Sequence, residues 1–322
     1  MVFEFAVPLL LCCTFAYSPF LPPRLVRGAL LLLVSLQLAA LTLRPEDYNS
    51  DTNNYLGYVT LLQEAGLFEA ALLTKFEPVH LITALVASNF RGWLLLESAI
   101  WLTLAIGVLR RAKRLETIAV VIGCALPLYS SSLRYSVGIL AVAYLALRWK
   151  ERRFSAVSIS ALGATAHASL AVAGAFINAR LWLVLLAIGL LAVYSALDPD
   201  ILERAGAGAD NPSKATGLRS FVPLVFYVLY LGNTVWRRAS LVAPLRQLTI
   251  AVALFAITNL MFPILNRWII IALVMLSTQY DAKLSLHTRS RGIQAAVAVA
   301  VYAMLVVPFL MTLSDVAVSG EW

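Results

Sequence analysis

Long apolar runs recur along almost all of this 322-residue chain, and they are interrupted at length only once, between Arg44 and Arg91. Hydrophobic residues make up 61% of the sequence and charged residues only 13%, well below the roughly 25% charged content of soluble domains. At about 20 residues per span, this length predicts an all-α, polytopic transmembrane helix bundle of about 10–11 helices. We therefore expect a single integral membrane domain over residues 1–322.

Basic residues cluster in the short connections between the apolar runs. The runs place the predicted spans near 2–17, 26–43, 92–109, 117–128, 136–149, 155–177, 181–197, 219–235, 247–263, 267–282 and 294–313. Basic connections tend to lie on the cytoplasmic side, so the net charge of +8 indicates membrane orientation and not a nucleic-acid partner. Between the basic loops at 148–153 and 236–246 an even number of crossings is required, yet three runs occur. Either one of them is a partial, re-entrant or surface helix, or one of the two basic loops lies outside.

The interruption at 44–91 is acidic and is predicted to be an extracytoplasmic loop. It contains six of the 17 acidic residues: Glu46, Asp47, Asp51, Glu64, Glu69 and Glu77. Its last part, Phe76 to Phe90, is too short to span. It opens with Glu-Pro, which favours a helix start because proline fits the first position and glutamate complements the positive end. We predict a short re-entrant helix here, a structure tolerated only where it lines a cavity.

Ionisable residues within apolar spans are expensive, so each one is a candidate site. Arg134 follows three serines at the start of a span and either reaches lipid headgroups or forms an anion pocket. His167 lies well inside the predicted span 155–177, either as a hydrogen-bonding partner between helices or as a general base. Glu97 is expected to be a paired structural carboxylate, and Asp281, at a helix end, is expected to be solvated.

Six polar residues that are far apart in sequence are predicted to meet at the outer face. They are Arg44, Asp51, Glu77, Arg134, His167 and Arg267. Three arginines beside carboxylates and a histidine suit a phosphate-bearing, sugar-like ligand, because the planar guanidinium grips phosphate oxygens at two points. No cofactor or metal is predicted: the chain has no His/Cys cluster, and its Asp-x-Asp sequence, Asp198-Pro199-Asp200, lies in a segment predicted to be exposed and irregular.

The same residues carry a resemblance to a known family. Over about residues 40–280 the chain has, in order, Arg44, Asp51-Thr52, Tyr55, Glu77-Pro78, Arg134, His167-Ala168-Ser169 and Arg267. In this order and spacing it resembles the EpsG-like branch of the Wzy-type bacterial polysaccharide polymerases. It departs from the family pattern at Tyr135, where the family usually has glutamine, and at Val79, where it usually has glycine.

The resemblance implies a polysaccharide polymerase of O-antigen or exopolysaccharide type. Such an enzyme transfers a growing glycan from undecaprenyl pyrophosphate to a hydroxyl of a lipid-linked repeat unit, at the outer face of the bacterial inner membrane. The implied enzyme is a metal-independent glycosyltransferase in which arginine charge stabilises the pyrophosphate leaving group. Its partners are lipid-linked oligosaccharides and membrane lipid, with a chain-length regulator as an optional further partner.

Residue roles follow from the resemblance and from the chemistry of the side chains. The catalytic set is His167, Asp51, Glu77 and Arg134, and the substrate-binding set is Arg44, Thr52, Tyr55, His80, Ser169 and Arg267. We favour His167 as the base, with Asp51 and Glu77 orienting the acceptor. An O-antigen ligase or another lipid-linked glycosyltransferase is the alternative enzyme. A transporter or flippase for a lipid-linked, phosphate-bearing substrate is the alternative of a different class.

Overall fold

A computed structural model describes residues 10, 14, 21–43, 50–65, 77–87, 89–148, 155–177 and 266–281 of the chain. Within these ranges all regular elements are helical and no strand occurs, which confirms the all-α prediction for this part of the chain. The elements are α1 (Pro23–Thr42), α2 (Ser50–Ala65), α3 (Pro78–Val86), α4 (Phe90–Arg111), α5 (Leu115–Ser131), α6 (Leu133–Arg148), α7 (Ser155–Ala166), a 3-10 segment (Ala168–Val172), α8 (Ala173–Ile177) and α9 (Asn266–Tyr280).

Two of these helices, α1 and α4, are long and apolar enough to cross a membrane. They contain 20 and 22 residues. At 1.5 Å per residue they extend about 30 Å, which is the thickness of a bilayer core. Helices α5, α6 and α9 also coincide with predicted apolar runs, but they are shorter than α1 and α4. The predicted spans 2–17, 181–197, 219–235, 247–263 and 294–313 lie outside the described residues, apart from Leu10 and Thr14.

Contacts between helix ends define two ends of the bundle. At one end Arg27 Nη2 donates a hydrogen bond to the Ala112 carbonyl at 2.8 Å, joining the start of α1 to the end of α4. At the other end Arg91 Nη1 donates to the Thr42 carbonyl at 3.3 Å. We call the first the basic end, because Arg110 to Arg114 lie there, and the second the site end.

Asp281 was expected to be solvated at a helix end, and this prediction is wrong. The residue is only 3% exposed. Its two carboxylate oxygens accept hydrogen bonds from the backbone N–H groups of Lys113 (2.9 Å) and Arg114 (3.2 Å). A carboxylate that is distant in sequence thus accepts from two backbone donors next to the start of α5. The contact ties the end of α9 to the basic end, so α9 begins with Asn266 and Arg267 toward the site end.

The predicted span 155–177 is not one continuous helix. Helix α7 ends at Ala166, His167 adopts an extended backbone (φ −165°, ψ 129°), and the chain then returns alongside α7. The return is shown by Gly174, whose backbone N–H donates to Ser160 Oγ at 2.9 Å. A Cβ at Gly174 would lie 2.1 Å from the Ala156 carbonyl oxygen, so glycine permits this close approach. The segment is therefore a helical hairpin with His167 at its turn.

Part of the predicted loop 44–91 is also helical. Helix α2 buries Tyr55, Val59 and Leu62, which are spaced to share one helical face. The Tyr55 ring packs edge-on against Trp93 of α4, with the ring centroids 5.4 Å apart. The predicted loop thus contains a further helix, which packs against the bundle. Helix α3 begins at Pro78, as the sequence predicted for the short helix after Glu77.

Candidate functional site

An ion pair between Glu77 and Arg134 forms the centre of the candidate site. Arg134 Nη1 donates to Glu77 Oε2 at 2.5 Å, and each side chain is 15% exposed. Glu77 immediately precedes α3, at the helix start where the sequence placed it, and makes no side-chain capping bond. Its carboxylate pairs with the Arg134 guanidinium, in a hydrogen bond whose two partners are both charged.

Two further segments contact this ion pair. The guanidinium carbon of Arg134 lies 5.4 Å from the ring centroid of Tyr55, within cation–π distance. The second oxygen of Glu77, Oε1, accepts a long hydrogen bond of 3.4 Å from the backbone N–H of Ala168. The pair therefore joins α2, the start of α3, the first turn of α6 and the turn of the α7–α8 hairpin.

His167 lies at that hairpin turn and is 8% exposed. Its Nδ1 accepts a hydrogen bond of 3.2 Å from the backbone N–H of Ser169. The Tyr135 ring of α6 packs against it with a centroid distance of 5.1 Å. Since an accepting ring nitrogen carries no proton, the neutral imidazole holds its proton on Nε2. In this conformation His167 is a hydrogen-bond donor at Nε2, while the lone pair needed by a base is engaged.

His80, predicted to bind substrate, is completely buried beside the site. Its Nδ1 lies 2.9 Å from Glu97 Oε1, and its Nε2 lies 2.8 Å from the Ala166 carbonyl oxygen. Thr83 Oγ1 also donates to Glu97 Oε1 at 2.5 Å, and Trp93 Nε1 donates to Thr83 at 3.1 Å. The prediction that Glu97 is a paired carboxylate is confirmed. His80 lies behind the site, with both ring nitrogens engaged.

The ion pair is recessed below the site end of α4. Glu97, which contacts α3, lies seven residues into the chain after Phe90, and Trp101 lies eleven residues after it. Trp101 Nε1 donates to Ser136 Oγ at 2.7 Å, near the start of α6. At 1.5 Å per residue these contacts place the starts of α3 and α6 about 10–16 Å deeper in the bundle than Phe90, the first residue of α4, which lies at the site end.

The remaining predicted residues are described only in part. Asp51 and Thr52 lie in the first turn of α2, but their side chains are not described. Arg267 lies in the first turn of α9, toward the site end, and its side chain is likewise not described. Arg44 lies outside the described residues. Ser169 contributes its backbone N–H to His167.

The sequence did not single out three groups that shape the site. Tyr135, noted only as a departure from the family pattern, packs against His167. The backbone groups of Ala166 and Ala168 contact His80 and Glu77, respectively. No sequence signal indicates such backbone contacts, because every residue carries the same backbone groups.

Comparisons of the chain with protein-family models, with curated proteins and with solved structures found no match. The functional proposal therefore depends on the site geometry and on the chemistry of its residues.

Proposed function

We propose that the chain is a polytopic membrane glycosyltransferase that polymerises polysaccharide. It transfers a growing glycan from undecaprenyl pyrophosphate to a hydroxyl of a lipid-linked repeat unit, at the outer face of the bacterial inner membrane. The observation that carries the proposal is the Glu77–Arg134 ion pair, recessed between apolar helices. A charge pair withdrawn from water is expensive to maintain, and in an apolar bundle it marks a site for a polar substrate.

The distribution of charge supports this orientation. Arg27, Lys113 and Asp281 meet at the basic end, and Arg111 packs over Tyr144 in the last turns of α6, 5.3 Å from its centroid. By the positive-inside rule this end faces the cytoplasm, and the site end faces outward. The α7–α8 hairpin supplies the partial element that the spacing of the basic loops requires.

Arg134 is the group best placed to receive the pyrophosphate. A guanidinium matches phosphate oxygens at two points, and the Tyr55 ring holds it in place. Glu77 pairs with Arg134. A pyrophosphate that binds Arg134 therefore competes with this carboxylate and displaces it. Charge that builds on the leaving group is then stabilised by Arg134 without a metal.

The displaced carboxylate is well placed to act as the base. In the transfer step the acceptor oxygen bonds to the anomeric carbon while the bond from that carbon to the pyrophosphate oxygen breaks. The hydroxyl proton passes to the base, and the electron pair leaves with pyrophosphate. Because the Nδ1 lone pair of His167 is engaged by Ser169, we assign the base role to Glu77. His167 lies beside this base at the hairpin turn, and Asp51 is a candidate for orienting the acceptor.

Substitutions of Arg134 and of Glu77 should change the binding of undecaprenyl pyrophosphate in opposite directions. The measurement is the affinity of the purified protein in nanodiscs for undecaprenyl pyrophosphate. Arg134→Ala should weaken binding by roughly 30-fold or more, since a charge-assisted contact to phosphate contributes about 2 kcal/mol or more. Glu77→Gln should bind more tightly than wild type, because a competing negative charge is removed. It should nevertheless form no polymer in membranes that carry the host's own repeat units.

Arg27→Ala is the matched control, because Arg27 is a partly buried arginine whose Nη2 donates to the Ala112 carbonyl at the opposite, basic end. It should bind and polymerise as wild type does. Wild-type affinity in Arg134→Ala would refute the phosphate-binding role. If Glu77→Gln binds tightly and the wild type moves the lipid across vesicle bilayers without making polymer, the chain is a flippase and the proposed enzyme is wrong.

A further inference from the structure

The carbonyl of Ala166 is left without its helical partner where α7 ends. In a continuous helix it would accept from the N–H of Leu170, but that N–H donates to the His167 carbonyl at 2.9 Å. His80 Nε2, from a helix 86 residues away, lies 2.8 Å from the Ala166 oxygen in its place. A side chain from α3 thus compensates for the bond that the hairpin turn breaks.

We propose that Glu97, acting through His80, positions the His167 turn for catalysis. The geometry rests on described contacts, and only its catalytic consequence rests on the proposed function. Glu97 and His80 are positioning residues, since neither reaches the recess that Arg134 borders. Ala166 immediately precedes His167, and Ala168, whose N–H contacts Glu77, immediately follows it. The fixed carbonyl of Ala166 therefore orients both the imidazole of His167 and the backbone N–H of Ala168.

The placement of protons explains why the carboxylate is needed. A carbonyl oxygen can only accept, so His80 Nε2 must carry a proton to bond Ala166. One proton lies between His80 Nδ1 and Glu97 Oε1, and on either atom it leaves the pair neutral and Nε2 protonated. Without Glu97, a neutral His80 could hold its single proton on either nitrogen, and the bond to Ala166 would be lost in one of the two tautomers.

The surroundings of Glu97 also indicate that this residue does more than stabilise the fold. The residue is 0% exposed, and its second oxygen, Oε2, is buried without a hydrogen-bond partner among the described residues. A buried polar atom left unsatisfied destabilises the fold, so two apolar residues would hold these helices together at least as well. The pair's contribution is the orientation of the Ala166 carbonyl.

Nitrogen NMR of the histidines tests this directly. The chain contains three histidines, His80, His167 and His287, so ¹⁵N-histidine labelling gives a small set of signals that single substitutions assign. In wild type, His167 should show an unprotonated Nδ1 and a protonated Nε2. In Glu97→Ala these two signals should shift and average between tautomers. Glu97→Gln should restore them, because its amide can donate to His80 Nδ1 and leave the Nε2 proton in place.

Two further variants serve as a control and as a substitute for Glu97→Ala. Trp101→Phe removes an equally buried hydrogen bond, to Ser136, and should leave the His167 signals unchanged. If Glu97→Ala does not fold, the double variant His80→Leu/Glu97→Leu replaces the pair by apolar side chains that preserve packing. It should shift the His167 signals in the same way. In the polymerisation assay, Glu97→Ala should lower kcat at least tenfold with KM little changed, and Glu97→Gln should recover most of it.

Wild-type His167 signals in both Glu97→Ala and the double variant would overturn the proposal. A chain that shows the expected signals but makes no polymer would refute the proposed function and leave the positioning of His167 intact. The two outcomes are therefore distinguishable.

Discussion

Gly174→Ala tests the hairpin, the feature in which the structure departs most from the predicted span. In one continuous helix over 155–177, Gly174 would be an ordinary helical position. Alanine there would raise the free energy of unfolding by about 0.5–1 kcal/mol, because glycine loses more conformational freedom on folding. In the hairpin, α8 packs against α7 at this glycine, and the sign of the change is reversed.

The magnitude follows from the contacts at Gly174. An added Cβ would lie 2.1 Å from the Ala156 carbonyl oxygen and 2.5 Å from Ser160 Oγ. The carbonyl belongs to the backbone and cannot rotate away, so the hairpin must open. Overpacking of this kind costs about 1–3 kcal/mol, and loss of the hydrogen bond from Gly174 to Ser160 adds about 1 kcal/mol. After the gain in helix propensity, we expect a net loss of about 2 kcal/mol.

Thermal unfolding of the purified protein in one detergent measures the effect. A loss of this size should lower the Tm by roughly 4–8 °C, at about 2–4 °C per kcal/mol. Gly28→Ala is the matched control, because nothing lies within 4 Å of a Cβ at that position in α1. It should leave the Tm unchanged or raise it slightly. A Tm in Gly174→Ala equal to or above that of Gly28→Ala would refute the hairpin.

Three further predictions concern the site and the basic end. Arg134→Lys keeps the charge but loses the two-point grip, so affinity for undecaprenyl pyrophosphate should fall about tenfold, and wild-type affinity would contradict the guanidinium role. Tyr55→Leu removes the ring beside Arg134, so the same affinity should fall about two- to fivefold, from a cation–π contribution of about 0.5–1 kcal/mol. Asp281→Ala removes the carboxylate that accepts from the backbone N–H groups of Lys113 and Arg114, and should lower the free energy of unfolding by about 1–3 kcal/mol. An unchanged Tm in Asp281→Ala would show that water replaces the carboxylate.

Helix positions could be predicted because they depend on residues close together in the chain. The apolar runs at 26–43 and 92–109 correspond to α1 and α4. Pro78 starts α3, because its fixed φ and missing N–H suit the first turn of a helix. Arg134 lies in the first turn of α6, as its position after three serines indicated. Each of these signals acts within a few residues.

Part of the candidate site could also be predicted from the sequence. Glu77, Arg134 and His167 were predicted to lie at one face, and Tyr55 was predicted to bind substrate. The structure brings Arg134 into contact with Glu77 and Tyr55, and Glu77 contacts the backbone of Ala168, next to His167. Other contacts were not predicted. Glu97 was recognised as a buried acid in need of a partner, but nothing within the sequence indicated His80 as that partner.

The turn at His167 depends on contacts between distant helices. Its local sequence, Ala-Thr-Ala-His-Ala-Ser, contains no glycine or proline and is compatible with a continuous helix. Helix α7 can end there because His80 Nε2 donates to the Ala166 carbonyl and His167 Nδ1 accepts from the backbone N–H of Ser169. Asp281 is buried for the same kind of reason, since its carboxylate accepts from the backbone N–H groups of Lys113 and Arg114. A polar group in the sequence shows that a partner is needed, but which partner it finds depends on the donors and acceptors left unsatisfied when the helices pack.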